Sequence, residues 1–260
     1  MTAAAPARRA RPGNIAAAAV GLGALAAFLL AIEILIQIGV INRFIVPPPS
    51  EIIGSFGRVI VEENVFGRFL LTLTECLTAG VMLTVFGVAG GVLMNRFKLL
   101  QQACETWVAA MASAPIVLMY PLFLVIFGRN AWTIIMMGFF AALPPVILKT
   151  IEGIAGTRKV LVNVGRSFNL NATQQFWKIL FPAALPTIFV GLRLGLIFAL
   201  INIVGVEFLI NFGGLGQLIN ELAERYDLAG TYAAICFVIL VSIVFFMALE
   251  KAERWLRPVD

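Results

Sequence analysis

The sequence predicts an all-α membrane protein whose six transmembrane helices form a single domain, and three observations lead there. Hydrophobic residues fill 61% of the 260 positions and charged residues 13%, against roughly 45–50% and 25% in soluble domains. Apolar runs long enough to cross about 30 Å of hydrocarbon, at about 1.5 Å per residue, recur six times. Unpaired backbone groups cannot face lipid, so each run is satisfied by becoming a helix.

The spans are expected near Ile15 to Ile36, Phe69 to Met94, Trp107 to Phe127, Trp132 to Leu148, Pro186 to Leu209 and Ala229 to Leu249. Ahead of the first, residues 1–13 (MTAAAPARRARPG) read as a disordered basic tail. Its twin arginines, Arg8 and Arg9, precede an apolar run as in an export signal, but no small-residue cleavage pattern follows, so the tail is expected to stay. Residues 14–260 are expected to form one transmembrane domain.

Between the first two spans stands FIVPPPSEII. Its prolines cannot continue a helix, Ser50 is suited to cap the next one, and Glu51 suits that helix's positive end. Ile52, Ile53, Phe56, Val59 and Ile60 then mark the apolar face of a short interfacial helix. The third and fourth spans are joined only by Gly128, Arg129 and Asn130, which makes them a hairpin. The last two are joined by GGLG (Gly213 to Gly216) and a short amphipathic helix, QLINELAERY.

Most of the 19 Lys and Arg residues fall on one side of this layout. They lie in the N-terminal tail, at Arg96 and Lys98, in the long loop with Lys149, Arg158, Lys159, Arg166 and Lys178, and in the C-terminal tail. Arg43, Arg58, Arg68, Arg129 and Arg225 fall on the other. Basic loops stay in the cytoplasm, so both termini and the long loop are expected there.

The composition also excludes chemistry. There is no histidine, which removes His-liganded metals, Ser-His hydrolases and HExxH proteases. No lysine follows a glycine, so the GK pair of a phosphate-binding loop does not occur. Cys76, Cys104 and Cys236 show no metal or disulfide spacing and read as small packed hydrophobes. No cofactor is expected in this chain, and no nucleic-acid partner.

The long loop, about residues 150–185, holds VNVGRSFNLNATQQFWKILFPAALP. Leu161, Val164 and Phe168 fall at i, i+3 and i+7 and share a helical face, away from Asn163, Arg166 and Ser167. Asn169 tolerates the left-handed turn that ends this helix. Asn171 with Gln174 forms a capping pair for a second short helix, which Pro182 and Pro186 are expected to end. This elbow serves either as a socket for a partner protein or as an amphipathic loop on anionic lipid.

Some polar residues lie inside the spans, where such groups are costly and often functional. Thr72, Glu75 and Thr78 form a stripe on the second span that suits a translocation pathway, with pairing of Glu75 to an arginine as the alternative. Asn202 and Glu207 lie on the fifth span, five residues apart and on different faces, with Glu207 expected to order an outer gate. Glu33 and Gln37 are near enough to the end of the first span to reach water, and Arg193 reads as structural.

The elbow, PAALP, GLRLG (Gly191 to Gly195), PPPSE, Thr72 with Leu73, YPLFLVIFG, VGVEF and GGLG together resemble binding-protein-dependent ABC importer permeases of the nitrate, sulfonate and taurine type. The resemblance covers roughly the last four-fifths of the chain. It implies the type I importer fold, a bacterial inner-membrane location and partners: ATP-binding cassette ATPase subunits that bind ATP and Mg, an extracytoplasmic substrate-binding protein and a second permease copy, identical or different. It further implies that the elbow, with Leu161, Asn163, Val164, Arg166, Phe168 and Asn169, docks into the ATPase. In place of the family's Glu-Ala-Ala and later glycine, this chain has Asn163, Val164, Gly165 and Asn169. Relatives that carry anions often have arginine near position 75, so Glu75 favours a neutral or cationic organic solute, such as a vitamin precursor, over a sulfonate-like or nitrate-like anion. The alternative from another class is a secondary transporter or channel without an ATPase.

Overall fold

A computed structural model describes residues 14–256, in which every regular element is helical. The basic tail expected over residues 1–13 lies outside the described residues. Helix α1 (Asn14–Gln37) is the first span. Near its end, Glu33 accepts hydrogen bonds from the Ser50 backbone N–H (3.1 Å) and hydroxyl (2.8 Å). Ser50 therefore does not cap α2 (Pro49–Glu62). That helix starts on Pro49, whose fixed φ suits a first turn and whose missing N–H costs nothing there. Glu51, in the first turn of α2, pairs with Arg43 at 3.0 Å.

The second span is longer than expected. Helix α3 (Val65–Met82) runs through a π-turn (Leu83–Gly87) into α4 (Val88–Arg96). The third expected span is corrected: Trp107 to Phe127 is not one helix. Helix α5 (Lys98–Ser113) stops at Ala114, and a 3₁₀ turn (Ile116–Met119) leads into α6 (Tyr120–Phe127), the two halves meeting at 91°. Pro115 is the cause, because a residue before proline is pushed out of the helical region; Ala114 has φ −78° and ψ 129°. Among the described residues, five helices are continuous and apolar enough to cross a membrane, and the bent pair is the sixth candidate.

The fourth span, α7 (Ala131–Ala155), runs beyond the expected end at Leu148. Helices α8 (Lys159–Ser167) and α9 (Ala172–Gln175) follow. A second correction concerns Pro182 and Pro186, which do not end the elbow's second helix. A π-turn (Phe176–Leu180) widens the chain just ahead of them, Pro182 enters the first turn of α10 (Phe181–Ile210), and helix continues from Ala172 to Ile210. Helix α11 (Gly214–Glu224) and the last span, α12 (Leu228–Leu256), complete the chain.

Helices α7 and α10 form the centre, and small residues set their spacing. A Cβ on Gly195 would meet Val146 Cγ2 at 2.6 Å and Ala142 O at 3.2 Å, and one on Gly191 would meet Lys149 Cβ at 2.6 Å. The glycines of GLRLG thus let the two backbones approach, which is how helices associate where lipid supplies no hydrophobic drive. Between these glycines, Arg193 reaches Glu253 of α12 at 2.9 Å.

The five arginines assigned to the outer side are all engaged. Arg58 pairs with Asp227 (2.5 Å), Arg68 with Glu221 (2.6 Å), Arg225 with Glu63 (2.8 Å), and Arg43 with Glu51. Arg129 donates to the carbonyls of Ile210 and Asn211, where α10 ends with unpaired acceptors.

Candidate functional site

Two regions gather the residues singled out by the sequence. The first is a buried polar knot where α3, α10 and the GGLG turn meet. Thr72 and Glu75, three residues apart on one face of α3, are 1% and 2% exposed, and Glu207 of α10 is fully buried. Thr72 Oγ1 donates to Glu207 Oε1 at 2.7 Å and accepts from Leu215 N at 2.9 Å. Glu207 Oε2 accepts from Gly216 N at 2.8 Å. One hydroxyl and one carboxylate thereby satisfy two of the backbone donors that open α11, those of Leu215 and Gly216, at the positive end of a helix where an acid is favoured.

The GGLG motif is what permits this approach. Gly213 and Gly214 have φ of 70° and 75°, a region that favours glycine. A Cβ on Gly214 would collide with the Glu207 carboxylate, and one on Gly216 would collide with the backbone of Val204 and Phe208. The sequence singled out Thr72, Glu207 and GGLG separately. It gave no sign that they form one cluster, nor that Gly214 and Gly216 belong to the site.

Glu75 faces the Glu207 carboxyl, and no arginine among the described residues pairs with it. No hydroxyl or amide donates to either of its carboxyl oxygens. Thr78, the last residue of the expected stripe, does not join, and neither does Asn202. Thr78 donates to the Thr74 carbonyl of its own helix (2.7 Å), and Asn202 donates to Phe198 O (2.9 Å) on another face of α10. Beside the knot, a cavity of about 440 Å³ opens between α3, α10 and α12, lined by Thr72 and otherwise by apolar side chains and Cys76.

The second region is the elbow. Asn169 adopts φ 51°, the left-handed turn expected of it. Leu170 N donates to Gly165 O (3.1 Å), and Gln175 Nε2 reaches back to Val162 O (3.2 Å). Asn171 and Gln174 form the expected reciprocal capping box. Gly165 faces Ile179, so α8 rests on the chain that follows it. Leu161, Asn163, Val164, Arg166, Phe168 and Asn169 all remain exposed, Phe168 by 75%. Next to them is an open cavity of about 830 Å³, bounded by Glu152, Arg158, Leu161 and Pro182 among others.

No group of three or more His, Cys, Asp or Glu able to hold a metal occurs among the described residues. The chain is similar to known permeases over most of its length. The formylaminopyrimidine transport permease of Halalkalibacterium halodurans is 24% identical, over 83% of this chain and 86% of that one. The taurine transport system permease of Escherichia coli is 21% identical, over 91% and 88%. The nitrate import permease of Synechocystis is 28% identical, over 74% and 70%. Among solved structures, a chain of the inward-facing MetNI methionine ABC transporter has the same fold, with a TM-score of 0.66, 18% identity and coverage of 75% of this chain and 96% of that one. The model of the family described as binding-protein-dependent transport system inner membrane component matches residues 80–258, so this chain belongs to that family and is a multi-pass inner-membrane permease of the ABC importer type.

Proposed function

We propose that the elbow over about residues 150–185 couples this permease to an ATP-binding cassette ATPase, which binds ATP and Mg and hydrolyses the nucleotide. The permease has no nucleotide site of its own. A binding protein delivers solute on the outer side, a second permease copy completes the path, and both termini lie in the cytoplasm. Nucleotide binding shifts the population between inward-open and outward-open states. The observation that carries this reading is an elbow fixed by its own hydrogen bonds while presenting Phe168, Val164 and Leu161 to solvent.

At the other end, the knot of Thr72, Glu207 and the GGLG turn acts as the outer gate, and Glu75, buried beside it in this structure, meets the path when the gate opens. This acidic lining favours a neutral or cationic organic solute, in keeping with the relative named for formylaminopyrimidine. Relatives named for taurine and nitrate keep anions as the second reading. Reconstitution with the ATPase that co-purifies from native membranes, followed by ATP-driven uptake, tests both ends. Phe168→Asp is expected to abolish uptake while the permease stays folded. Glu75→Gln is expected to change the preference between cationic and anionic solutes, and unchanged rate and selectivity would remove Glu75 from the path.

A further inference from the structure

The charge on the elbow is one-sided. From Gly153 to Val206 the chain has no acidic residue, while Arg158, Lys159, Arg166 and Lys178 are exposed. None of the four has a carboxylate partner among the described residues, whereas Arg43, Arg58, Arg68 and Arg225, assigned to the outer side, each meet one. Nothing among the described residues neutralises the elbow.

The arrangement around α8 indicates the shape of what does. At about 100° per residue, Val160, Leu161, Val164 and Phe168 centre on one face. Lys159 and Arg166 centre roughly 160° away, with Asn163 and Ser167 on the solvent arc between them. Gly165, on the remaining side, rests on Ile179. A helix lying on lipid buries its apolar face and leaves its opposite, basic face in water. A flat surface does not meet two faces that point nearly apart, but a cleft with two walls does.

We infer that α8 inserts into a protein cleft with one apolar wall, against Val160, Val164 and Phe168, and one acidic wall, whose carboxylates meet Lys159 and Arg166. The inference rests on the elbow being the docking element proposed above, and it assigns the chemistry of the partner: the ATPase that serves this permease carries acidic side chains on one side of its docking cleft. Burial of the apolar ridge supplies affinity, and the charge pairs select the cognate ATPase and speed its association.

The test uses the full-length permease in nanodiscs and the ATPase subunit that co-purifies with it, identified by its sequence. Affinity is measured at low and high salt for the parent, Phe168→Asp, the double variant Lys159→Glu with Arg166→Glu, and Lys251→Glu, a charge reversal at an exposed position outside the elbow, as a control. The double variant is expected to bind at least tenfold more weakly than the parent at low salt, with a flatter salt dependence. Replacing with lysine the ATPase carboxylate that crosslinks to position 166 is expected to restore binding of Arg166→Glu. Unchanged or tighter binding of the double variant, together with lost binding of Phe168→Asp, overturns the acidic wall and leaves the docking role standing. If Phe168→Asp also binds normally, the docking role itself fails. Weakened adhesion of the double variant to vesicles containing phosphatidylserine, with unchanged ATPase affinity, assigns the cations to the membrane and likewise overturns the inference.

Discussion

Thr72 has one hydroxyl proton, and the 2.7 Å contact commits it to Glu207, so the Leu215 N–H must meet a lone pair of the same oxygen. Thr72→Val keeps the shape and removes both roles, leaving a buried N–H and a carboxylate oxygen each short of a partner. A buried group left unsatisfied costs about 1–3 kcal/mol. Thermal unfolding in detergent is expected to show a clear drop in Tm for Thr72→Val and little change for Thr72→Ser, which keeps the hydroxyl. Gly216→Ala is expected to be more damaging than either, because its Cβ would strike backbone that has no room to yield. The residue types of this knot were legible in the sequence: a buried Glu, a Thr and a run of glycines. Their union was not, since Thr72 and Glu207 lie 135 positions apart, and no local periodicity relates positions so distant.

The elbow is the element that sequence reasoning read most fully. Apolar spacing located the exposed ridge, and capping chemistry located the start of α9, because both signals act between residues three or four apart. Asn169 supplies the left-handed turn between the helices. Asn169→Gly is expected to keep ATP-driven uptake near the parent level, since glycine enters that region freely, whereas the β-branched Asn169→Val is expected to impair uptake strongly. Circular dichroism would show whether helix content survives in both variants. Proline was harder to read. Pro115 breaks an apolar run that looked continuous, while Pro182 and Pro186 are absorbed into an unbroken helix. The residue is the same in each case, and the difference is the neighbouring turn: Ala114 yields to the extended region, and the π-turn at Phe176–Leu180 accommodates the chain.

Across the whole molecule, ion pairs join elements far apart in the chain at the end opposite the elbow, and the pair of Arg58 with Asp227 ties α2 to the start of α12. Burial alone would raise the Asp227 carboxyl, but hydrogen bonds from Arg58 and from Gly230 N outweigh it and hold the carboxyl below the ordinary aspartate range. The depressed value means that this contribution to stability is complete above the unfolded aspartate value, about 3.9, and is lost as pH falls through the folded one. Asp227→Asn is therefore expected to lower Tm at neutral pH and to flatten the fall of Tm below about pH 4, as a thermal scan across pH would reveal. The sequence by itself determined membrane residence, an all-helical fold, the order and approximate place of the spans and the form of the elbow, because hydropathy, capping and turn chemistry operate over one or two helical turns. Only the tertiary structure decided that α7 and α10 pack through the GLRLG glycines, that Glu75 faces Glu207, and that Glu207 closes on GGLG. Those outcomes depend on how closely two backbones approach and on which buried donor lacks an acceptor, and both are properties of the packed chain.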